Sequence, residues 1–177
     1  VIKRGAGGII MKPTDLAPIE FWNDLLEKLH EMTGLTTLLY DSDNKSLYPP
    51  KVFANNLCKL IMSNPSTSSA VCGLSHQAIA TMDKKDKKPR VEECDLDMVK
   101  IIVPIFKEQE YFGAVGACGL LPEEEEEVDL FLAAKNLGKE EAEIEPLTTE
   151  IGILSDNKIE SALEFISSQL KRIGADN

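Results

Sequence analysis

Histidine is scarce in this sequence, at two residues in 177, and aromatic side chains make up only 6% of it. With His30 and His76 as the only imidazoles, acid–base or metal chemistry must use one of them or fall back on carboxylates and thiols. There is no Walker loop, no Gly-x-Gly-x-x-Gly and no His-Glu-x-x-His. The chain is also short of the well over about 200 residues that a nucleotide-binding sheet plus a substrate domain takes. Enzyme activity is therefore not expected. Basic residues are outnumbered, 19 Lys and Arg against 30 Asp and Glu, and the formal net charge of -11 repels phosphate backbones. Direct nucleic-acid binding is not expected either. No apolar run approaches the roughly 20 residues of a membrane-spanning helix, and the N-terminus lacks the basic-then-apolar pattern of a secretory signal. The expectation is a soluble cytoplasmic segment with no membrane partner. A chain of this size can bury about 70% of its unfolded surface without disulfides or metal.

What is present reads as alternating helical and extended segments. Residues 1–10 have no period and three glycines, and read as a linker or cloning remnant ahead of a single domain over 11–177. After Pro18, Phe21, Trp22, Leu25, Leu26, Leu29 and Met32 recur at three-to-four spacing until Gly34, which predicts an amphipathic helix. Thr36 to Tyr40, the turn residues Asp41 to Lys45, and Ser46 to Tyr48 predict a hairpin. A short helix follows Asn55, and Asn64-Pro65 ends it and starts another carrying Val71, Leu74, Ala78 and Met82.

Beyond the basic turn Lys84 to Pro89, Arg90–Cys94, Met98–Phe106 and Tyr111–Cys118 predict three strands, the last two an antiparallel pair. Gly113, Gly116 and Gly119 weaken that last strand unless something approaches its backbone closely, most simply a packed element. The carboxylates Glu123 to Glu127 read as a solvated helix start, with Val128, Phe131, Leu132 and Leu137 on its buried face. Ser155 caps a final helix with Ile159, Leu163, Ile166, Leu170 and Ile173 on one side. That C-terminal extension is suited to docking on the domain, to a homodimer, or to an output-domain partner. The order of elements predicts an α+β fold: an antiparallel sheet of about five strands with flanking helices, PAS/GAF-like.

Four cysteines, Cys58, Cys72, Cys94 and Cys118, fall at 14-, 22- and 24-residue intervals (58 to 72, 72 to 94, 94 to 118), with no Cys-x-x-Cys pair. Two lie on neighbouring helices and two at strand ends, so they are candidates to converge on zinc or an iron–sulfur cluster. The alternatives are four small buried hydrophobes, or thiols that act as a redox or metal-responsive switch. His76 follows Cys72 by one helical turn and is a candidate to line a ligand pocket or chelate a metal. A thiol enzyme built on Cys72 and His76 would need an orienting group and an oxyanion site, and the sequence signals neither.

Seven features occur in a telling order: Gly34-Leu35, Asp41-Ser42-Asp43-Asn44, Leu57-Cys58-Lys59-Leu60-Ile61, Cys72, Cys94, Val103-Pro104-Ile105 and Gly113-Ala114-Val115-Gly116. Residues 34–121 thereby resemble the PocR-type sensory domain, a PAS-related module of prokaryotic signalling proteins. The resemblance implies a non-catalytic sensor of a small molecule, proposed for the family to be a simple hydrocarbon derivative of the propanediol kind. Cys58, Cys72 and Cys94 match the family's cysteine positions, which adds weight to a shared metal or cluster. Where the family often carries His-Ala-Gly after the third cysteine, this chain has Asp95-Leu96-Asp97-Met98. Asp95 and Met98 join His76 as candidate ligand contacts, and Cys118 is the candidate fourth thiol. The ligand or cofactor is expected between the sheet and the helices carrying Cys58 and Cys72.

Overall fold

The computed structural model describes residues 10–73, 87–125 and 127–176. Helix α1 spans Ile19–Thr33 and ends where Gly34 takes a left-handed φ of 77°, donating its N–H to the His30 carbonyl. Trp22, Leu25 and Leu29 are buried along one side, and the Trp22 indole donates to the carbonyls of Pro13 and Ala17 at 3.0 and 3.2 Å. Met32 lies off this stripe and is exposed.

Strand β1, Thr36–Tyr40, runs into a turn built by Asp41, whose carboxylate accepts from the N–H groups of Asp43 and Lys45 at 2.9 and 3.0 Å. The predicted second arm of this hairpin does not form a strand. Its return is a single bridge, Tyr40 to Ser46, plus the Leu47 N–H to the Leu39 carbonyl, and Tyr48 is left exposed before Pro49-Pro50. Proline supplies no N–H to extend the ladder.

Strands β2 (Arg90–Glu93), β3 (Val99–Lys107) and β4 (Glu110–Cys118) complete an antiparallel sheet of order β1-β4-β3-β2. Two short strands, β5 (Leu121–Pro122) and β6 (Ile153–Leu154), pair in parallel apart from it. The fold is α+β as expected, with four strands in the main sheet because residues 46–48 contribute only a bridge.

The glycines of β4 accommodate close neighbours. A Cβ on Gly116 would sit 2.6 Å from the Tyr40 ring, and one on Gly113 would collide with the Tyr40 carbonyl. Gly113 also has a φ of 138°, beside a bulge at Ile105/Phe106.

The sheet buries both faces. Leu35, Leu39, Val99, Ile101, Val103, Ile105, Val115 and Ala117 pack with α1 and with the last helix, α6 (Asp156–Arg172), through Ala162, Ile166 and Leu170. Ile159, Leu163, Phe165 and Ile173 of the same segment pack against this core and are partly buried. Ser155 stands at its N-cap without a side-chain bond to the helix. The Phe106 backbone exchanges hydrogen bonds with Asp176, tying the end of the described chain to β3.

The opposite face receives α2 (Asn56–Ser63), where the Asn55 side chain caps the helix by accepting from the Cys58 N–H, and then α3 (Pro65–Thr67), capped by Asn64. The chain continues from α3 as a π-helical segment, Ser68–Gly73. Helices α4 (Leu130–Leu137) and α5 (Glu141–Thr148) complete a second core around Leu57, Ile61, Leu96, Met98, Leu121 and Ile144. The acidic run does not begin α4: Glu123 and Glu124 are in a turn, Asp129 is the N-cap, and Phe131 is 64% exposed rather than buried. A single capping carboxylate bonded to the helix N-terminus is easier to pack than consecutive carboxylates, which keep their hydration in the turn.

Candidate functional site

The pairing register fixes which side chains share the α2-facing side of the sheet. Glu92, Lys100, Cys118 and Thr36 form one cross-strand row, and Arg90, Ile102, Gly116 and Leu38 the next. Pro104, Ala114 and Tyr40 form a third. Above the outer part of this surface, between β1 and the α2–α3 turn, lies a cleft of about 430 Å³. Leu38 and Tyr40 form its floor; Met62, Pro65, Ser68, Ser69 and Cys72 form the helical wall; and Asn44, Lys45 and Ser46 of the β1 turn close the remaining side. Its size falls within the roughly 300–1,000 Å³ of small-molecule sites. Among the described residues no carboxylate lines it, although the chain carries 30 Asp and Glu.

Each wall is held by local chemistry. Asn44, at a left-handed φ of 61°, accepts a 2.8 Å hydrogen bond from the Tyr111 hydroxyl, which fixes the turn. The Thr67 hydroxyl donates to the Ile61 carbonyl at 2.6 Å and the Asn64 carbonyl at 3.0 Å, bracing α3 against α2. The π-helical Ser68–Gly73 segment is a wider turn than an α-helix, a geometry frequent at functional sites. Lys100, only 1% exposed, donates to the Cys72 carbonyl at 3.4 Å and so links the sheet to that segment. Burial pushes the Tyr40 phenol well above its usual range, and the thiols of Cys118 and Cys72 act the same way, so the hydroxyl stays neutral in the cleft floor.

The four cysteines gather on this side of the molecule. Among the described residues, no three His, Cys, Asp or Glu side chains are placed to hold a metal ion. The thiols are near enough to feel one another's charge, since Cys72, Cys94 and Cys118 each raise Cys58; that influence reaches well beyond the ~2.3 Å of a metal–sulfur bond. Cys58 is already occupied: the Asn55 amide donates to its sulfur at 3.4 Å and to the Met98 sulfur at 3.5 Å, and the two sulfurs are 3.9 Å apart. The Lys100 ammonium is close enough to lower both Cys72 and Cys118, but burial outweighs it and holds both thiols up. As placed, the described thiols therefore do not converge into a metal-binding set.

Nor are the thiols activated. Burial is the first cause in each case, pushing Cys118 up to about 12, Cys58 well above the usual thiol range, and Cys72 up as well. A thiol held protonated is a poor nucleophile and a slow redox partner. Cys58 and Cys118 sit as small buried hydrophobes, while Cys72 and Cys94 are half-buried.

The other predicted contacts fare differently. His76 lies outside the described residues. Asp95 is exposed at the tip of the tight turn joining β2 to β3, where Asp97 has a φ of 61° and the Cys94 N–H donates to the Met98 carbonyl at 2.8 Å. Its charge reaches Cys72, but it does not line the cleft. Met98 is buried against Asn55 and Cys58 and does not line it either. Among the described candidates, Cys72 alone borders the cleft. Sequence reasoning passed over Tyr40, Met62, Ser68 and Ser69, which carry no motif. It also passed over Lys100, whose signal was legible: a lysine inside the apolar run Val99 to Ile105.

A family model described as the sensory domain found in PocR matches residues 15–175. No similar protein is found among the curated proteins, and none among the solved structures.

Proposed function

The chain belongs to the PocR sensory-domain family, and from that premise we propose that it is a non-catalytic sensor whose small neutral ligand occupies the cleft between β1 and the α2–α3 turn. The observation that carries this reading is the cleft lining. Leu38, Tyr40, Met62 and Pro65 offer apolar surface, while Ser68, Ser69, Ser46 and Asn44 offer hydroxyl and amide groups. Such a surface suits a compact molecule that mixes hydrocarbon with hydroxyl groups, since the apolar part leaves water and each hydroxyl finds a partner. The raised thiols argue against turnover at Cys72 and against a thiol switch as the primary signal. Ligand binding would be read out as a shift of the α2–π-helix wall relative to the sheet, passed to an output partner through the terminal helices α1 and α6.

Short diols are the first probes. At saturation a fitting diol raises the melting temperature by several degrees. The rise persists in Cys58→Ser and Cys94→Ser and is abolished in Ser69→Trp, which fills the cleft from an exposed position without disturbing the core. Diol stabilisation that Ser69→Trp leaves intact would place the ligand elsewhere. Loss of the response on chelation, with metal bound stoichiometrically through the cysteines, would restore the metal reading.

A further inference from the structure

On the far side of β1 lies a second cavity, of about 180 Å³, between α1 and residues 48–52. Leu38 borders both cavities, so β1 separates them. Leu26, Leu38, Leu39 and Val52 make its walls largely apolar, and His30 is the imidazole among them. The ring's Nδ1 lies 2.7 Å from the Leu35 carbonyl oxygen. A carbonyl only accepts, so Nδ1 carries the proton, and the nitrogen left to a ligand in the neutral imidazole is Nε2, an acceptor.

Two further observations point to an occupant. Tyr48 and Val52, 46% and 51% exposed, both border this cavity, so large apolar side chains are held at its mouth at a cost in solvation. An apolar protein cavity of about 150 Å³ takes up benzene, so 180 Å³ admits one ring and one small substituent. Glu27 and Glu31 of α1 border it together with Lys51, and among the described lining residues the two carboxylates outnumber the one ammonium, which disfavours an anion.

We propose that this cavity is a second small-molecule site, which takes a neutral monocyclic phenol with its ring among Leu26, Leu38, Leu39 and Val52 and its hydroxyl donating to His30 Nε2. The site is independent of the ligand of the first cleft. Because α1 packs against α6, occupancy here bears on the same terminal helices and would modulate the sensor's output.

The test uses phenol, toluene and benzoate with the full chain, followed by amide chemical-shift titration and by melting temperature. Phenol is expected to shift the resonances of His30, Leu26 and Val52 saturably; toluene, lacking the hydroxyl, binds about fivefold to tenfold more weakly, and benzoate does not bind. In His30→Leu the preference for phenol over toluene disappears while toluene affinity is kept. In Val52→Trp, at the exposed mouth, both lose affinity, which keeps the proposal testable should the His30 variant fold poorly. The proposal is overturned if phenol leaves these resonances unmoved at millimolar concentration, if it shifts Ser69 and Tyr40 instead, or if His30→Leu retains the preference.

Discussion

At the residue scale, the cysteines give the sharpest test of how this site works. Burial pushes the Cys118 thiol up to about 12 from an ordinary thiol value of 9.0, and Cys58 and Tyr40 shift the same way through burial. A proton held more tightly in the folded state stabilises the fold below the unfolded thiol value, and that stability is lost as pH rises through the folded value. Urea midpoints should therefore be flat in this respect below about pH 9 and fall between about 9 and 12; a Cys118→Ala variant should fall less steeply. The Lys100→Met substitution removes the charge that lowers Cys72 and Cys118, and should slow alkylation of Cys72 at pH 8 further. Rapid alkylation of Cys72 in the wild type would contradict the account. Glycine supplies a second test. Gly116→Ala meets a Tyr40 ring carbon at 2.6 Å and should cost about 1–3 kcal/mol in denaturant titration. Gly113→Ala should cost more, because its added Cβ meets backbone and its φ is positive.

Among the elements, what the sequence made legible tracks the strength of local signals. Helix α1, α6 and the β3–β4 pair carry long periodic runs with clear stops, and they form where expected. Asn55 and Asn64-Pro65 are caps with a mechanism, and both act as caps. Residues 46–48 read as a strand from composition alone, and the Pro49-Pro50 that follows leaves them as one bridge. The acidic run looked like a helix start because carboxylates favour that position, yet Asp129 provides a better cap beyond it. Strands β5 and β6 are two residues each and parallel, defined by a long-range pairing that no local pattern announces. The docking of α6 carries its own prediction. Leu170 and Ile166 are fully buried against α1 and the sheet, so Leu170→Ala should destabilise the protein by about 2–5 kcal/mol. Phe131→Ser, at an exposed position of α4, should stay within about 0.5 kcal/mol of wild type. Similar losses at both positions would mean that α6 is not part of the core.

For the whole molecule, family and topology agree on a sensory module, while the site itself was only partly readable. The cleft sits where the resemblance led one to look, between the sheet and the helices of Cys58 and Cys72, but its lining comes from serines, a methionine and a tyrosine that only the register and the π-helical turn bring together. The conspicuous thiols gave only part of the site: Cys72 borders the cleft, while Cys58 is engaged by the Asn55 amide and Lys100 reaches the Cys72 carbonyl. A net charge of -11 disfavours the approach of anions while leaving neutral molecules unaffected, and Lys45 is the one charged side chain among the described residues lining the cleft.

The central claim is that a small neutral molecule binds in that cleft, and the methionine methyl groups report on it directly. Met62 lines the cleft, Met98 is buried outside it, and Met32 is exposed on α1. In a methyl-labelled sample titrated with short diols, the account predicts a saturable shift of the Met62 resonance, with Met32 unmoved, and loss of that shift in Ser69→Trp. A diol that stabilises the protein while leaving Met62 unchanged would contradict it.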